Sequence, residues 1–508
     1  MFKKILIANR GEIALRVMRT CRELGIATVA VYSDVDRNAL HVRYADEAYL
    51  LGAGPPKESY LNIPKLLEVA KEAGADALHP GYGFLSENAD FAQECADADV
   101  TFIGPPPEAM RVLGDKVIAR QRMREAGVPV VPGADGEVGP GEAKKIAKKI
   151  GYPVLIKATA GGGGKGIRVV TNAKELEDAL RVASSEAEAA FGHGGVYVEK
   201  YLSPVRHVEV QIMADSHGNT VALGERECSI QRRHQKLVEE SPSIAVGPEL
   251  RNQMLAAAVA AAKAAHYENA GTVEFLLDKK GNFYFLEVNA RLQVEHPVTE
   301  LVTRLDLVAD QIRVAAGEAL PYRQEDIHPS GHAIECRISA EDPYNNFMPS
   351  LGRVDCVEEP GGPDVRVDSS LYSGVEIPYH YDPLLAKLIC WGPTREAAIQ
   401  RMLRALREYV IVGIQSNIPF HLQLLTDKRF LKGDVHTAFL EESFEMDSPD
   451  GHPDEQVALL VAAVLTHLKK RQPLVLESSA GGGGWLSAGR DRLVEGRRLS
   501  ERRGWHGR

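Results

Sequence analysis

Cysteines and long apolar runs are scarce in this sequence, and each shortage excludes a class of protein. The chain has 6 cysteines in 508 residues and none forms a CxxC pair, which argues against a disulfide-stapled secreted domain and a thiolate zinc site. No stretch approaches the roughly 20 consecutive apolar residues of a membrane-spanning helix. Arg10 and Glu12 interrupt the apolar start of the chain too early for a signal peptide. We therefore expect a cytoplasmic protein with no membrane partner.

A net positive charge is also missing. The formal net charge is −10 at pH 7, whereas a general nucleic-acid binder needs a basic face, so no nucleic-acid partner is expected. Hydrophobic residues make up 44% and charged residues 26% of the chain, as in ordinary globular proteins. A chain of 508 residues exceeds the size of one hydrophobic core, so several domains are expected.

The patterns along the chain predict an α/β and α+β multidomain protein. Strand and helix patterns alternate up to Pro105–Pro107, and such alternation predicts βαβ units in a doubly wound parallel sheet. The predicted divisions are an N-terminal domain at 1–112, a second domain at 113–330 with a small lobe at about 132–203, and a mixed-sheet domain at 331–447. The remaining 448–508 form an arginine-rich tail with a helical pattern at Asp454–Arg471, which predicts a partner-binding or partly disordered segment.

A glycine-rich segment, Gly161–Gly166, lies between two strand patterns. It is not a Rossmann fingerprint, because the β-branched run that follows is not a helix, and it is not a Walker A loop, because Gly166 follows Lys165. Glycines expose backbone N–H groups without obstruction, so a strand–loop–strand flap of this kind can fold over phosphates. Lys157, in the preceding strand, could reach the same phosphates. A glycine-rich solvent linker remains the alternative.

Three oxygen-bearing side chains lie on a predicted hairpin. A turn centred between Lys280 and Gly281 places Glu274 opposite Glu287, and Asn289 faces the same side as Glu287. Two adjacent carboxylates repel each other unless a positive charge lies between them. Mg²⁺ prefers such oxygen ligands together with phosphate oxygens. The hairpin therefore predicts a magnesium site, and a solvated acidic face is the alternative.

Basic residues occur close to this hairpin in sequence. Arg291 follows the second strand and offers a planar fork for an oxyanion, and Glu295 lies four residues further on. Gln231–Lys236 contains four potential cations in six residues. Such a run alone is more typical of a solvated loop, but its position in an acidic chain with a predicted metal site also fits anion binding.

Nine motifs together resemble the biotin carboxylases, the ATP-grasp components of acetyl-CoA, propionyl-CoA and pyruvate carboxylases. They are IANRGEIALR (7–16), HPGYGFLSEN (79–88), GDK (114–116), KATAGGGGKGIRVV (157–170), EKYL (199–202), RECSIQRRHQKLVEESP (226–242), EVNARLQVEHPVTE (287–300), GHAIECRISAEDP (331–343) and YDPLLAKL (381–388). The resemblance covers about residues 1–445. It implies that 113–330 is an ATP-grasp domain whose small lobe is the flap.

The resemblance implies a role for each matching residue. The implied ATP contacts are Lys116, Lys157, Gly163, Gly164, Glu199, Lys200, Tyr201, Leu202, His207, Gln231, His234, Glu274 and Glu287. The implied metal ligands are Glu274, Glu287 and Asn289. The implied bicarbonate contacts are Lys236, Arg291, Gln293 and Val294. The implied catalytic residues are Glu295 as general base, Arg291, Lys236 and Arg337, and Arg337 also meets biotin.

The implied reaction is the ATP-dependent carboxylation of biotin with bicarbonate, assisted by Mg²⁺ or Mn²⁺. The Met-Lys-Met attachment motif is missing, so we expect the biotin on a separate carrier protein. Carboxyltransferase subunits and a homodimer or larger complex are further expected partners. Two alternatives remain: another ATP-grasp ligase such as half of a carbamoyl-phosphate synthetase, and a nucleotide-binding scaffold without activity. The sequence does not select the final acyl acceptor.

Overall fold

The computed structural model describes residues 1–159 and 167–447 together with residue 464. The chain divides into two compact units, Met1–Met446 and Asp447–Arg508, and the elements below belong to the first. The predicted flap glycines Gly163 and Gly164, the predicted helix Asp454–Arg471 and nearly all of the predicted tail lie outside the described residues. Of the helices in the described part, none is long and apolar enough to cross a membrane.

The N-terminal region contains a parallel five-stranded sheet, as predicted. Its strands are β1 (Lys4–Ile7), β2 (Ala27–Ser33), β3 (Glu47–Gly52), β4 (Ala77–His79) and β5 (Thr101–Phe102), in the order β3-β2-β1-β4-β5. Its helices are α1 (Gly11–Glu23), α2 (Leu40–Tyr44), α3 (Ile63–Ala73) and α4 (Ala89–Asp97). Strand β3 was not predicted, because it lies at the sheet edge and leaves alternate residues exposed.

Two helices follow where the sequence suggested only a boundary. They are α5 (Pro107–Gly114) and α6 (Lys116–Glu125). Pro107 begins α5, where a missing N–H costs nothing. The Asp115 carboxylate then accepts hydrogen bonds from the backbone N–H groups of Val117 and Ile118, which caps α6. Lys116 therefore lies in the first turn of a capped helix.

The small lobe has its own three-stranded antiparallel sheet and core. Its elements are α7 (Pro140–Ile150), β6 (Val154–Ala158), β7 (Arg168–Val170), α8 (Leu176–Phe191) and β8 (Val196–Lys200), with the strand order β7-β6-β8. Val154 and Ile156 are fully buried against Ala143 and Ala147 of α7. The residues 160–166 therefore connect two paired strands, as predicted.

The rest of the unit is built on one large sheet. Its next elements are β9 (Val205–Ala214), β10 (Thr220–Arg232), β11 (Gln235–Ser241), α9 (Pro248–Ala264), β12 (Asn269–Asp278), β13 (Phe283–Asn289), α10 (His296–Thr303), α11 (Leu307–Ala315) and β14 (His332–Ser339). The later strands are β15 (Glu341–Asp342), β16 (Met348–Pro349), β17 (Gly352–Arg353), β18 (Cys356–Glu358), β19 (Val365–Ser369), β20 (Glu376–Ile377), β21 (Leu384–Gly392) and β22 (Val410–Val412). The later helices are α12 (Arg395–Glu408), α13 (Ile418–Leu424), α14 (Lys428–Lys432) and α15 (Phe439–Glu442).

Eight of these strands form a single sheet in the order β13-β12-β9-β10-β11-β14-β21-β19. Strand β11 pairs with β14, with Val238 opposite Cys336 and Glu239 opposite Glu335. The sheet therefore continues across the predicted boundary at residue 331, although the domain limits themselves stay a prediction. As a result, side chains from the second and third predicted domains share one rigid surface.

Candidate active site

The β12–β13 hairpin brings the predicted metal ligands together. Glu274 lies opposite Glu287, and Thr272 lies opposite Asn289. Nearer the turn, Phe275 pairs with Phe285, so one extra residue lies in β13 between the two pairs. Leu277 pairs with Phe283, so the turn is centred on Lys280, and the predicted centre between Lys280 and Gly281 is wrong. The β-bulge, a feature often found beside active sites, restores the predicted Glu274–Glu287 pairing.

The two paired carboxylates have different surroundings. Glu274 is buried, and its Oε1 accepts hydrogen bonds from Lys236 Nζ at 2.9 Å and Gln293 Nε2 at 3.1 Å. Burial alone would raise the pKa of Glu274, but Lys236 and His207 hold it well below the usual range. Glu287 is exposed and has no hydrogen bond or ion pair among the described residues, while desolvation by the surrounding protein and the Glu274 carboxylate raise its pKa. Glu287 thus lacks a cationic partner next to an ionised acid.

Lys236 connects three carboxylates. Its Nζ lies 2.5 Å from Glu209 Oε2, 2.9 Å from Glu274 Oε1 and 2.7 Å from Glu295 Oε1. Burial disfavours its charged form, yet Glu209, Glu274 and Glu295 raise the pKa of Lys236 well above its ordinary value. One ammonium group therefore links the hairpin carboxylate to the predicted general base.

Glu295 is fully buried between two cations. Its Oε1 accepts from Lys236 and its Oε2 accepts from Arg337 Nη2 at 2.9 Å. Although burial opposes ionisation, Lys236 and Arg337 hold the pKa of Glu295 well below the usual range. The Arg337 Nε also donates to Glu239 Oε1 at 2.6 Å. Glu295 is therefore an ionised carboxylate, which is the state that a general base requires.

Arg291 is fixed by acceptors on three sides. Its Nε donates to Glu87 Oε2, its Nη1 to Gln293 Oε1 and its Nη2 to Asn289 Oδ1, each at 2.9 Å. It makes no hydrogen bond with Glu295 among the described residues, although the two were predicted to act together. Gln293 in turn donates to Glu274. The segment after β13 is thereby joined to the hairpin and the N-terminal region.

A second group of predicted residues lies on the small lobe and on α6. Lys157 Nζ lies 2.5 Å from Glu199 Oε1, and Arg120 Nη1 lies 3.1 Å from Glu199 Oε2. Burial and the nearby Lys157 ammonium lower the pKa of Lys116, while the Glu287 carboxylate opposes this effect. Lys116 and Lys157 therefore form a cationic pair whose field reaches the hairpin.

The remaining predicted ATP contacts are placed as follows. Lys200 donates from Nζ to the carbonyls of Gly151 and Tyr152 at 3.0 and 3.1 Å, so its side chain serves the small lobe. Tyr201 and Leu202 are half-buried in the connection to β9. His207 Nε2 lies 3.0 Å from Glu274 Oε2.

The run Gln231–Lys236 spans a turn. Gln231 is buried at the end of β10, His234 is exposed in the turn with φ 66°, and Lys236 points into the cluster from β11. The alternative of a solvated loop does not hold for Lys236, because β11 carries it into the sheet. The position of His234 leaves its predicted ATP contact as a prediction.

Sequence reasoning missed Glu209, Arg226 and Glu87. Glu209 and Arg226 are fully buried, and Arg226 Nε donates to Glu209 Oε1 at 2.6 Å. The available signal was the alternation of polar and apolar residues in β9, where His207, Glu209 and Gln211 share one face. Polar residues at every second position of a strand with buried apolar neighbours indicate a second buried, polar face.

A divalent cation fits the hairpin. Glu274, Glu287 and Asn289 offer two carboxylates and an amide, the hard oxygen ligands that Mg²⁺ and Mn²⁺ bind. The Glu287 carboxylate, which lacks a partner among the described residues, is the observation that favours this fit. The donor atoms of His207, Glu209 and Glu274 also lie within 4.8 Å of one another. Because Lys236 and His207 contact Glu274, they neutralise it when no ion is bound.

The chain matches three protein-family models in sequence order. They are described as biotin carboxylase, N-terminal domain (residues 1–110), carbamoyl-phosphate synthase L chain, ATP binding domain (115–323) and biotin carboxylase C-terminal domain (335–442). The carbamoyl-phosphate synthase description covers only the central part of the chain, and both flanking models belong to biotin carboxylase.

Curated relatives and solved structures agree with these models. Biotin carboxylase 1 of Bacillus subtilis is 56% identical over 443 residues, which cover 87% of this chain and 98% of the relative. A pyruvate carboxylase subunit of Methanothermobacter thermautotrophicus is 55% identical over 443 residues, 87% of this chain and 90% of the relative. The biotin carboxylase domain dimer of Hydrogenobacter thermophilus 2-oxoglutarate carboxylase, solved with MgADP, ADP and bicarbonate, is 51% identical with a TM-score of 0.83 and covers 87% and 98% of the two chains.

This chain belongs to the biotin carboxylase family. The predicted family, the predicted multidomain α/β fold and the predicted enzyme class, an ATP-grasp ligase, are confirmed. The alternatives of a carbamoyl-phosphate synthetase half and of a scaffold protein gain no support, because both flanking regions match biotin carboxylase models.

Proposed function

We propose that this enzyme carboxylates biotin on a partner carrier protein, using ATP and bicarbonate and releasing ADP and phosphate. One observation carries the proposal: Lys236 joins Glu274 of the hairpin to Glu295, which in turn contacts Arg337. A phosphate-activating site and a base with an oxyanion partner are therefore adjacent. Such an arrangement suits a reaction in which one anion is phosphorylated and then delivered to a second substrate.

In the first step, Glu295 accepts the proton of bicarbonate. A bicarbonate oxygen then attacks the γ-phosphorus of ATP, the bond to the β-phosphate oxygen breaks, and ADP and carboxyphosphate result. Lys236 and Arg291 hold this anion, and the Val294 backbone and the Gln293 side chain complete its pocket. Both cations stay charged, because neighbouring carboxylates raise the pKa of each despite burial. Positioned cations of this kind supply most of the stabilisation in phosphoryl transfer.

Glu274, Glu287 and Asn289 would hold Mg²⁺ or Mn²⁺. When bound, the ion supplies charge neutralisation and alignment of the triphosphate. The Glu287 carboxylate contributes to the electrostatic field at Lys116, one of the assigned ATP contacts.

The ATP site extends to the small lobe. We assign triphosphate contacts to Lys116, Lys157 and the Gly163–Gly164 backbone, and adenine contacts to Glu199–Leu202. His207, Gln231 and His234 complete the assigned set. Lys157 and Lys116 lie in one electrostatic environment with Glu199 and Glu287, which supports a shared polyanionic ligand.

In the second step, carboxyphosphate breaks down to carbon dioxide and phosphate. Phosphate takes the N1′ proton of biotin, and the N1′ atom attacks carbon dioxide to form carboxybiotin. Arg337 stabilises the ureido oxyanion that develops when the proton leaves. Its guanidinium lies between Glu239 and Glu295, so it is pre-oriented beside the base of the first step.

The proposal extends to partners and location. The enzyme works with a biotin carboxyl carrier protein and with carboxyltransferase subunits, forms a homodimer or larger complex, and acts in the cytoplasm. The dimeric state of the Hydrogenobacter domain supports the homodimer. Relatives named for pyruvate and for 2-oxoglutarate carboxylation show that this half of the reaction serves different acceptors. An acyl-CoA acceptor, as in fatty acid synthesis, is therefore a further compatible role.

The deciding experiment measures bicarbonate-dependent ADP release with and without free biotin or a biotinylated carrier. Stimulation by biotin, together with ¹⁴C transfer from bicarbonate to biotin, is expected. The Arg337→Ala variant should lose the stimulation by biotin. Stimulation by ammonia in place of biotin would support the carbamoyl-phosphate alternative and overturn the proposal.

A further inference from the structure

Lys387 is a fully buried lysine in the middle of β21. It belongs to the YDPLLAKL motif, for which the reaction above uses no side chain. In the sheet it lies opposite Arg337 of β14 on one side and opposite Asp368 of β19 on the other. A buried ammonium costs several kcal/mol unless it is paired and hydrogen-bonded, so its contacts indicate its purpose.

The Lys387 ammonium joins three distant parts of the chain. Its Nζ donates a hydrogen bond of 2.9 Å to the Val294 carbonyl oxygen. It also lies 3.3 Å from Glu12 Oε1 on α1 and 3.7 Å from Asp368 Oδ2. The Tyr82 hydroxyl donates to the same Glu12 oxygen. The acids neutralise the ammonium, and the Val294 carbonyl takes its closest hydrogen bond.

The Val294 carbonyl belongs to the same peptide unit as the N–H of Glu295. Because a peptide unit is planar, a hydrogen bond that fixes its oxygen also fixes the direction of its N–H and the position of the next Cα. The Glu295 Cα carries the proposed general base. Lys387 therefore contacts the proposed bicarbonate pocket only through the Val294 carbonyl, on the backbone that carries Glu295.

We propose that Lys387 is a positioning residue that orients the Val294–Glu295 peptide for bicarbonate. The inference rests on the proposed function and adds to it a buried group from the C-terminal region. Loss of the bond lets this peptide rotate, which moves both the Glu295 carboxylate and the Val294 backbone. Displacement of a reacting group by about 1 Å costs up to about a hundredfold in rate.

The test compares Lys387→Met with the parent enzyme. We expect kcat/KM for bicarbonate to fall by about tenfold or more, while KM for ATP changes less than about twofold. Biotin-independent, bicarbonate-dependent ADP release should fall in parallel, since the defect precedes the biotin step. Lys387→Arg, which keeps a donor and the charge, should recover part of the loss. Lys432→Met, at an exposed lysine, is the matched control.

Two outcomes contradict the inference. A folded Lys387→Met enzyme with normal bicarbonate kinetics overturns it. A rise in KM for ATP as large as the rise in KM for bicarbonate also overturns it, because such a change marks a purely structural role. If Lys387→Met does not fold, Glu12→Gln serves instead, because it removes the carboxylate that holds the Lys387 ammonium at 3.3 Å and so loosens the bond to Val294. It should then raise KM for bicarbonate selectively, and an unchanged KM also overturns the inference. Biotin stimulation in the parent enzyme tests the proposed function separately.

Discussion

Glu239 and Glu240 are consecutive residues of β11 that face opposite sides of the sheet, and their pKa values are shifted in opposite directions. Glu239 has one oxygen bonded to Arg337 and one without a partner in the described chain, and burial raises its pKa to about 7. Glu240 accepts from His332 at 2.7 Å and from Arg395 at 2.6 and 3.1 Å. Despite burial, those bonds lower its pKa to about 2.

The sheet therefore has a working face, which carries Glu239 and the proposed catalytic residues, and a supporting face, which carries Glu240. On the first, Lys236 is shared by three acids and Glu287 has no partner among the described residues, so bound ions and substrates can change the pairing. On the second, Glu240 has a full set of donors, which favours one fixed arrangement. Removal of acids from the two faces should therefore affect different quantities.

Glu295→Gln should have the largest effect on catalysis. Without a base for the bicarbonate proton, biotin carboxylation should fall by at least about a hundredfold. The measurement is ¹⁴C transfer from bicarbonate to free biotin, and Glu325→Gln, at an exposed side chain, is the control. A near-normal rate would reject Glu295 as the base.

Arg291→Ala should also lower carboxylation by at least about a hundredfold, the upper range for one lost oxyanion donor. The alanine removes a cation that three acceptors hold in place. Steady-state kinetics with varied bicarbonate measure the effect, and Arg323→Ala, at an 82% exposed side chain, controls for the loss of charge. Equal rates in the two variants would remove Arg291 from the site.

Glu287→Gln should shift the metal dependence more than the maximal rate. The variant keeps an amide oxygen but loses one of two facing carboxylates, so half-saturation should need about ten times more Mg²⁺. ADP release in a Mg²⁺ titration measures this shift. An unchanged titration curve would contradict the hairpin as the metal site.

Glu240→Gln should have the smallest effect on catalysis and should mainly lower stability. The pKa of Glu240 falls from 4.5 to about 2 on folding, which corresponds to about 3 kcal/mol of stability at pH 7. A lowered folded-state pKa means that this stability is present above pH 4.5 and is lost as the pH falls toward 2.

Urea unfolding at pH 7 and pH 4 measures the effect. The gap in unfolding free energy between the parent and Glu240→Gln should narrow by about 1 kcal/mol at pH 4. The folded variant should keep its kcat. A large fall in kcat of Glu240→Gln without a loss of stability would show that the supporting face also takes part in catalysis.

The sequence predicted the local parts of this site better than their assembly. The predicted pairing of Glu274 with Glu287 is observed, but the predicted turn centre is wrong by half a residue, and a bulge in β13 that alternation could not reveal compensates for it. A second extra residue lies in β11, where Gln231 pairs with Lys236 and Ile230 with Val238. That bulge lets Lys236 and Glu239 face the same side although three positions separate them.

Apart from the alternation in β9 that could have indicated Glu209, the missed residues depend on contacts that no local pattern encodes. Arg226 looks like one more charge in a polar run, yet it is buried and donates hydrogen bonds to Thr272 of β12 and Thr299 of α10. Lys387 and Val294 are 93 residues apart. Burial of a charge follows from the whole fold, so only the nine-motif resemblance anticipated which distant charges meet.

The unbroken pairing of β11 with β14 has a consequence for how the two chemical steps are spaced. Under the assigned roles, the carboxyphosphate cation is on β11 and the biotin cation is on β14. Hydrogen-bonded neighbouring strands are separated by about 4.8 Å, a span comparable to one carbon dioxide molecule with its contacts. Under those roles, carbon dioxide released from carboxyphosphate beside Lys236 would have to pass only from one strand to the next to reach biotin beside Arg337.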